Sequence, residues 1–359
     1  MDYMTVVSPL RVGIVGLGGI GHLHAESVRT LSHELVGGVD VSDVARSRFQ
    51  DRFGVATFSS YQDLFEAGVD AIFVATPNRF HEEHAVAALK TDVSVLVEKP
   101  LAHTLSSAER IVSAAERSRA LCTVGFNERY SNGVNVIMSH QSDGFFGDIY
   151  HVDAHYIRRR GIPGIGSWFT ESDIAGGGAL LDIGVHTIDL ALYFLGFPPV
   201  REVIGTTRSD FGPDPDYTYL EMWGDERRAG TFNVEDSAFG FIRCTGDKSV
   251  CLNVAWAANQ RNNDVFRIYG TEAGAEYDRG SEEVTLFEVS SGGSSHYIDS
   301  KVTAHRSETH RRQDRAFLRA VTTGDSSGLV SMEEALTVQR AIDAIYRSRD
   351  VDLPARTSQ

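Results

Sequence analysis

The chain has 359 residues, 42% of them hydrophobic and 23% charged, which is enough for two domains that each bury a core. Its formal net charge of −15 argues against nucleic acid as a partner, because nucleic-acid-binding surfaces are basic. No apolar run reaches about 18 residues and the first residues lack the features of a secretory signal, so we expect no membrane span and a cytoplasmic protein.

The three cysteines are Cys122, Cys244 and Cys251, which are widely spaced and form no Cys-x-x-Cys pair. This spacing predicts neither a disulfide framework nor a metal site, and it fits a reducing compartment. The acidic composition suits adaptation to a salty cytoplasm, and attraction of a cationic substrate is an alternative.

A glycine-rich turn follows the first predicted strand. Leu10 to Val15 is a short β-branched apolar run, and His22 to Leu31 reads as a helix. Between them stand Gly16, Leu17, Gly18, Gly19, Ile20 and Gly21, in the GxGxxG spacing of dinucleotide-binding turns. A second strand, Leu35 to Val39, ends at Asp40, whose carboxylate suits ribose hydroxyls and repels a 2′-phosphate. The pattern predicts binding of NAD in preference to NADP.

Strands and helices alternate through the rest of the first third of the chain. The predicted helices are 61–67, 81–89 and 106–118, and the predicted strands are 71–75, 93–97 and 121–125. This alternation predicts a parallel, doubly wound sheet in a first domain, 1–128, followed by a second domain, 129–359.

Polar residues follow two of these strands at the sheet edge where ligands bind. The Thr76-Pro77-Asn78 tripeptide follows one strand, and Glu98-Lys99-Pro100 ends another. Lysine is rare in the chain, and the ammonium of Lys99 suits donation to a substrate oxygen and stabilisation of a hydroxyl as it loses its proton. A surface lysine paired with Glu98 is the alternative.

A predicted helix after residue 177 carries a carboxylate and an imidazole. Its apolar residues have helical spacing, at Leu181, Val185, Ile188 and Leu192. Asp182 and His186 are four residues apart, so an α-helix would place them one turn apart on one face. A carboxylate beside an imidazole orients a general base, although two residues that share a solvated helix face are the alternative.

Together these motifs resemble those of the Gfo/Idh/MocA family, named for glucose–fructose oxidoreductase and inositol dehydrogenase. The matching pieces are the Gly16–Gly21 turn, Thr76-Pro77-Asn78 with His81, Glu98-Lys99-Pro100, and Gly176-Gly177-Gly178 leading to Asp182, His186 and Asp189. The resemblance implies an α/β fold. Its N-terminal Rossmann domain has a doubly wound parallel sheet, and its C-terminal α/β domain has a large, mostly antiparallel sheet.

The resemblance also implies roles for single residues. Lys99, Asp182 and His186 form the catalytic set, which is intact here, whereas some family members such as sugar-sensing regulators lose it. The residues implied in NAD binding are Gly16, Gly18, Gly19, Ile20, Gly21, Asp40, Thr76, Asn78, His81, Glu98, Lys99 and Asn127. No metal is implied.

The second half of the chain is predicted to be mostly β-structure. The predicted strands are 149–158, 201–207, 217–223, 230–232, 238–245, 250–257 and 265–269, and consecutive strands indicate an antiparallel sheet. One sheet face needs cover from the Asp182 helix, and the other is available to a second subunit, so we expect a homodimer or homotetramer. A capping box at Ser331 and Glu334 predicts a last helix to about residue 347, which in this family packs back toward the first domain.

A loop before Asp182 holds candidate substrate-binding residues. Tyr156 and Arg158 share one face of the predicted strand, and Trp168 follows in a Gly- and Pro-rich stretch. An indole suits the apolar face of a sugar ring, and a guanidinium suits hydroxyl or acidic groups, with a buried Trp168 and solvated arginines as the alternative. The stretch 158–164 resembles branches of the family that oxidise pyranosides or anhydrosugars.

We therefore expect an NAD-dependent dehydrogenase that oxidises a ring hydroxyl of a sugar, anhydrosugar or cyclitol to a ketone, or catalyses the reverse. The substrate would be bound by Lys99, Tyr156, Arg158, Trp168, Asp182 and His186. Either Lys99 or His186 would act as the formal base. The alternatives are an NAD-using glycosidase with transient oxidation and a non-catalytic NAD-binding sensor.

Overall fold

The computed structural model describes residues 8–218, 230–290 and 292–348. Its contacts divide the chain into two compact units. The first comprises the chain up to Val134 with Asp173–Gly176 and Arg306–Gln339, and the second comprises Asn135–Ser172, Gly177–His305 and the chain from Arg340. The first unit is therefore built from three segments, whereas the sequence analysis placed one boundary at residue 128.

The first unit is built on a parallel sheet. Its described strands are β1 (Arg11–Val15), β2 (Glu34–Val39), β3 (Ala56–Phe58), β4 (Ala71–Val74), β5 (Ser94–Glu98) and β6 (Cys122–Gly125), in the order β3-β2-β1-β4-β5-β6. The helices between them are α1 (Gly19–Thr30), α2 (Asp43–Phe53), α3 (Tyr61–Glu66), α4 (His81–Lys90) and α5 (Leu105–Arg117). The strand order reverses between β1 and β4, where a doubly wound sheet binds its ligand.

Burial explains why the central strands were recognisable in the sequence. Every residue of β4 and β5 is buried, as expected of strands that are covered by helices on both faces. The strand order and the parallel pairing of neighbouring strands confirm the predicted doubly wound sheet. Helix α2 and strand β3 were not predicted, and α2 has a weak signal because it is largely polar and buries only Phe49 and Phe53.

The second unit contains a larger sheet. Its described strands are β7 (Ile149–Ile157), β8 (Val200–Arg208), β9 (Ser237–Cys244), β10 (Ser249–Ala255), β11 (Val265–Gly270), β12 (Gly274–Asp278), β13 (Glu283–Ser290) and β14 (His296–Thr303). Their order is β14-β13-β12-β11-β7-β10-β9-β8, and β7 and β10 run parallel while the other neighbouring strands run antiparallel. The mostly antiparallel sheet is confirmed, although β12, β13 and β14 were not predicted.

The remaining helices are α6 (Asn132–Ser142), α7 (Ser172–Ala175), α8 (Val185–Phe194), α9 (Thr309–Thr323) and α10 (Met332–Ser348). At the start of α10, the Ser331 hydroxyl accepts from the Glu334 amide at 3.2 Å and the Glu334 carboxylate accepts from the Ser331 amide at 2.9 Å. The predicted capping box is therefore confirmed.

One predicted strand is absent from the structure, and most of another lies outside the described residues. Residues 230–232 do not form a strand, because their backbone follows a loop, where the Thr231 carbonyl accepts from the Thr170 hydroxyl at 2.7 Å. Residues 219–223 of the predicted strand 217–223 lie outside the described residues.

One stretch, Ser172–Phe194, is long and apolar enough to be considered for a membrane span among the described residues. However, 83% of its most apolar window is buried inside the protein, as in the core helix of a globular domain. The same stretch carries Asp182 and His186.

Candidate active site

The Gly16–Gly21 turn joins β1 to α1 with close backbone packing. Gly16 has φ +96°, and a Cβ there would lie 2.5 Å from the carbonyl oxygen of Ala75. A Cβ at Gly21 would lie 2.0 Å from the carbonyl oxygen of Gly16. Gly18 and Gly19 are instead exposed, and a Cβ on either would meet no atom within 4 Å. Helix α1 thus begins at Gly19 beside open space, with its first amide donors free of a side-chain cap. Such a helix start suits a pyrophosphate, and its binding here stays a prediction.

Asp40 is anchored beside this turn. Its Oδ2 accepts from the Leu17 amide at 2.9 Å, and its Oδ1 accepts from the Ser42 amide at 2.8 Å. The carboxylate is half-buried at the end of β2, next to the strand that leads into the glycine turn. A carboxylate at this position suits the ribose hydroxyls of NAD, and its contact with the coenzyme stays a prediction.

His81 and Asn78 hold the loop that follows β4. The ring nitrogens of His81 lie 2.8 Å from the Thr76 carbonyl oxygen and 2.9 Å from that of Pro100. Burial lowers the pKa of His81, although both carbonyls favour the charged ring. The Asn78 amide donates to the Ala175 carbonyl at 2.7 Å. His81 therefore ties the Thr76 loop to the turn that contains Lys99, and direct contact of these residues with NAD stays a prediction.

Lys99 follows β5 and is half-buried. Its backbone amide donates to Glu98 Oε2 at 3.2 Å. The other oxygen of Glu98, Oε1, lies 3.1 Å from Nε2 of His24, a residue of α1 that is fully buried. After the next strand, β6, the side-chain amide of Asn127 donates to the Thr309 hydroxyl at 2.8 Å. Lys99 is thus partly covered beside Glu98, and its role toward a substrate stays a prediction.

In the second unit, Asp182 lies in a π-helical turn. Leu180–Gly184 form this turn, and α8 begins after it at Val185, so the expected continuous α-helix is interrupted at the carboxylate. The π-turn inserts one residue into the helical repeat, and such turns occur often at functional sites. Asp182 is half-buried, and His186 is 9% exposed. The two are therefore not residues of a solvated helix face.

Trp256 holds Asp182. Its indole Nε1 donates to Asp182 Oδ2 at 2.9 Å, and its side chain is fully buried. Sequence reasoning placed Trp256 at the end of a strand and gave it no role. The available signal was the position of a rare tryptophan, one of three in the chain, where an apolar strand ends.

Glu235 caps the segment that leads into the π-turn. Its carboxylate is buried and accepts from the amides of Gly178 and Leu180 at 2.9 Å and from the Tyr346 hydroxyl at 2.9 Å. Burial raises the pKa of Glu235, although these hydrogen bonds favour the ionised form. Sequence reasoning missed Glu235, because it is separated from Gly178 by 57 residues.

The predicted substrate residues Tyr156 and Arg158 lie together. Arg158 Nη2 donates to the Tyr156 hydroxyl at 2.7 Å, and a second guanidinium, from Arg279, lies 3.9 Å from the centre of the Tyr156 ring. Arg279 is paired with Asp264 at 2.9 Å. Trp168 is half-buried and stacks on Phe169, with ring centres 3.9 Å apart. Their contact with a substrate stays a prediction.

Comparisons with known proteins agree with this geometry. Residues 10–126 match the family model described as "Oxidoreductase family, NAD-binding Rossmann fold", and residues 139–276 match the GFO/IDH/MocA C-terminal domain. The chain is 36% identical over 272 residues to a putative UDP-kanosamine synthase oxidoreductase subunit of Amycolatopsis mediterranei, covering 74% of each protein. It is 29% identical to D-glucoside 3-dehydrogenase of Escherichia coli, covering 96% of each.

Among solved structures, levoglucosan dehydrogenase in complex with NADH and levoglucosan has a TM-score of 0.82 at 23% identity. The alignment covers 95% of this chain and 97% of that one, which shows a shared fold. The chain belongs to the Gfo/Idh/MocA family and is an NAD(P)-dependent oxidoreductase with an NAD-binding Rossmann domain.

Proposed function

We propose that this protein is an NAD-dependent dehydrogenase that oxidises a secondary ring hydroxyl of a pyranoside or related sugar. The observation that carries the proposal is the π-turn carboxylate Asp182, held by the buried indole of Trp256 and followed one turn later by His186. The names of its relatives support a sugar substrate: D-glucoside 3-dehydrogenase, glucose-6-phosphate 3-dehydrogenase and levoglucosan dehydrogenase. Two of these names specify position 3, so C3 is the carbon that we propose.

NAD would be held by the open turn at Gly18, Gly19 and Ile20 through its pyrophosphate and by Asp40 through its ribose. Thr76, Asn78, Glu98 and Asn127 would line the nicotinamide side, with His81 holding the loop behind them. When bound, NAD accepts a hydride from the carbinol carbon.

Residues of the chain would accept the proton of the substrate hydroxyl and stabilise the charges that develop. His186 accepts it as general base, and Asp182 orients the imidazole and stabilises the charge that the ring gains. The Lys99 ammonium stabilises the developing alkoxide. In ketone reduction the same groups return the proton. Tyr156, Arg158 and Trp168 would bind the rest of the sugar, the indole against its apolar face.

The experiment is NADH formation against methyl glucosides, levoglucosan, hexose 6-phosphates, inositols and amino sugars, with NAD and NADP in parallel. Lys99→Ala and His186→Ala should each lower kcat at least about a hundredfold. Lys90→Ala, which changes an exposed lysine at the end of α4, is the control. Near-normal turnover in Lys99→Ala would refute its role. Release of an aglycone without net NADH would instead indicate the glycosidase.

We also propose that the protein is a cytoplasmic homo-oligomer. Its cysteines Cys122, Cys244 and Cys251 are free thiols, as suits a reducing compartment. The face of the larger sheet opposite α8 is rich in exposed apolar residues, which support pairing with a second copy. They are Ile204, Phe239, Phe241, Tyr269, Phe287, Val289 and Tyr297.

A further inference from the structure

Three residues from distant parts of the first unit form a buried array. His24 of α1 lies between Asp314 of α9 and Glu98 at the end of β5. Its Nδ1 lies 3.0 Å from both carboxylate oxygens of Asp314, and its Nε2 lies 3.1 Å from Oε1 of Glu98. His24 and Asp314 are fully buried, and Glu98 is 8% exposed. The array therefore excludes solvent.

The geometry sets the charge of the ring. With Asp314 and Glu98 both ionised, each carboxylate only accepts hydrogen bonds, so both ring nitrogens donate and His24 is an imidazolium. Burial alone would lower the pKa of His24, but Asp314 and Glu98 outweigh it and raise the pKa to about 10. Burial likewise opposes the ionised form of Glu98. Its neighbour His24 nevertheless holds the pKa of Glu98 below the usual value, and His310 and Lys99 add smaller effects in the same direction.

The surroundings of the array restrict movement. The ring of Phe73 in β4 stacks on His24, with centres 4.5 Å apart, and the ring of His310 lies edge-on at 6.4 Å. The carboxylate of Glu98 also receives the backbone amide of Lys99. Thus one oxygen of Glu98 is fixed by His24, and the other holds the backbone from which the Lys99 side chain extends.

We propose that Asp314 and His24 are positioning residues that act through Glu98 to hold Lys99 in place for its role at the substrate hydroxyl. Asp314 fixes and charges the imidazole, and the imidazole fixes Glu98. Helix α9 is thereby coupled to the Glu98-Lys99-Pro100 turn, which is distant from it in the sequence. The inference rests on the proposed function, because it assigns Lys99 a catalytic role.

The first test needs neither substrate nor NAD. In protein labelled with ¹⁵N-histidine, nuclear magnetic resonance should show one imidazolium that stays protonated well above the usual histidine pKa of 6.5. His24→Gln should remove this signal, and Asp314→Asn should make it titrate at lower pH. If His24 of the wild type is neutral at pH 8, which is about one and a half units above the usual histidine pKa, the charged array does not exist.

The second test separates positioning from a purely structural role. Asp314→Asn should lower kcat about tenfold, with an effect that grows with pH as His24 loses its proton, while the KM for the sugar stays within about threefold. Glu82→Gln is the control, because it removes a carboxylate that pairs with Arg110 between α4 and α5. It should leave kcat and its pH profile unchanged.

The outcomes distinguish the inference from the function on which it rests. If Lys99→Ala lowers kcat but folded Asp314→Asn keeps wild-type kcat at every pH, the positioning role is wrong. If Lys99→Ala turns over normally, the catalytic role of Lys99 is wrong, and if the wild type forms no NADH with any substrate of the panel, the proposed function is wrong. In either case the nuclear magnetic resonance result still decides whether the charged array exists. Folding of each variant is checked by its unfolding transition, and His24→Gln provides a second variant if Asp314→Asn does not fold.

Discussion

The indole nitrogen of Trp256 donates to Oδ2 of Asp182 at 2.9 Å, so a fully buried tryptophan holds the carboxylate of the π-turn. A hydrogen bond to an ionised group is stronger than one between neutral groups, and a rigid aromatic donor keeps its acceptor in one orientation. The position of Asp182 is therefore set by two features, the π-turn of its own backbone and the end of β10.

Replacing the indole should affect turnover more than folding. We expect Trp256→Phe to lower kcat about tenfold, since it removes the hydrogen bond that orients Asp182 while keeping an aromatic ring. The measurement is steady-state kinetics with the best substrate. Phe266→Leu is the control, because it reduces a buried aromatic residue of β11 that stacks on Tyr277. Equal losses of kcat in both variants would show that the effect is one of packing.

The sequence predicted the first unit better than it predicted the site in the second. The glycine turn, Asp40 and the buried strands β4 and β5 are local patterns, so short-range reasoning recovers them. The π-turn at Asp182 has no such signature, because four-residue spacing alone suggests an α-helix. Other contacts join residues that are far apart in the sequence. The separation is 74 residues between Trp256 and Asp182, 57 between Glu235 and Gly178, and 290 between Asp314 and His24. Only the folded chain brings these pairs together.

The charge of Asp40 should determine the preference between coenzymes. We expect Asp40→Asn to lower the ratio of kcat/KM for NAD to that for NADP at least about tenfold, because the charge that repels the 2′-phosphate is lost. The amide oxygen still accepts from the Leu17 amide, so the loop keeps its anchor. Asp43→Asn, a highly exposed position in the first turn of α2, is the control. An unchanged ratio in Asp40→Asn would contradict the assignment.

Glu235 should make stability depend on pH in a defined direction. Burial raises its folded-state pKa above the ordinary glutamate value of 4.5, so between 4.5 and the folded-state pKa the folded protein binds more protons than the unfolded chain. The contribution of Glu235 to stability therefore decreases as pH rises above about 4.5. The free energy of unfolding of the wild type, minus that of Glu235→Gln, should fall over this range.

Urea unfolding at a series of pH values measures this difference. Glu202→Gln, which changes an exposed carboxylate paired with Arg243, serves as the control and should not show the same decrease. A difference that rises with pH would mean that hydrogen bonds from Gly178, Leu180 and Tyr346 outweigh burial and that the pKa of Glu235 is lowered.

Tyr346→Phe should cost about 1 kcal/mol of stability through loss of one such bond.

The open face of the larger sheet should control the oligomeric state. Register places Phe241 of β9 directly opposite Ile204 of β8, and both side chains are exposed. On the other face, Val152, Ala154, Val250 and Leu252 are fully buried. Exposed apolar residues in such number favour an interface, and this face is the one that we propose to pair with a second copy.

We expect Phe241→Asp to reduce the mass measured by light scattering to that of a monomer, because a charge buried without a partner opposes association. The circular dichroism spectrum should be unchanged, since the side chain faces away from the covered core. Val44→Asp makes the same kind of change at an exposed apolar residue of α2 and should leave the mass unaltered. A wild-type protein that is already monomeric would refute the homo-oligomer, and an oligomer that survives Phe241→Asp would place the interface elsewhere.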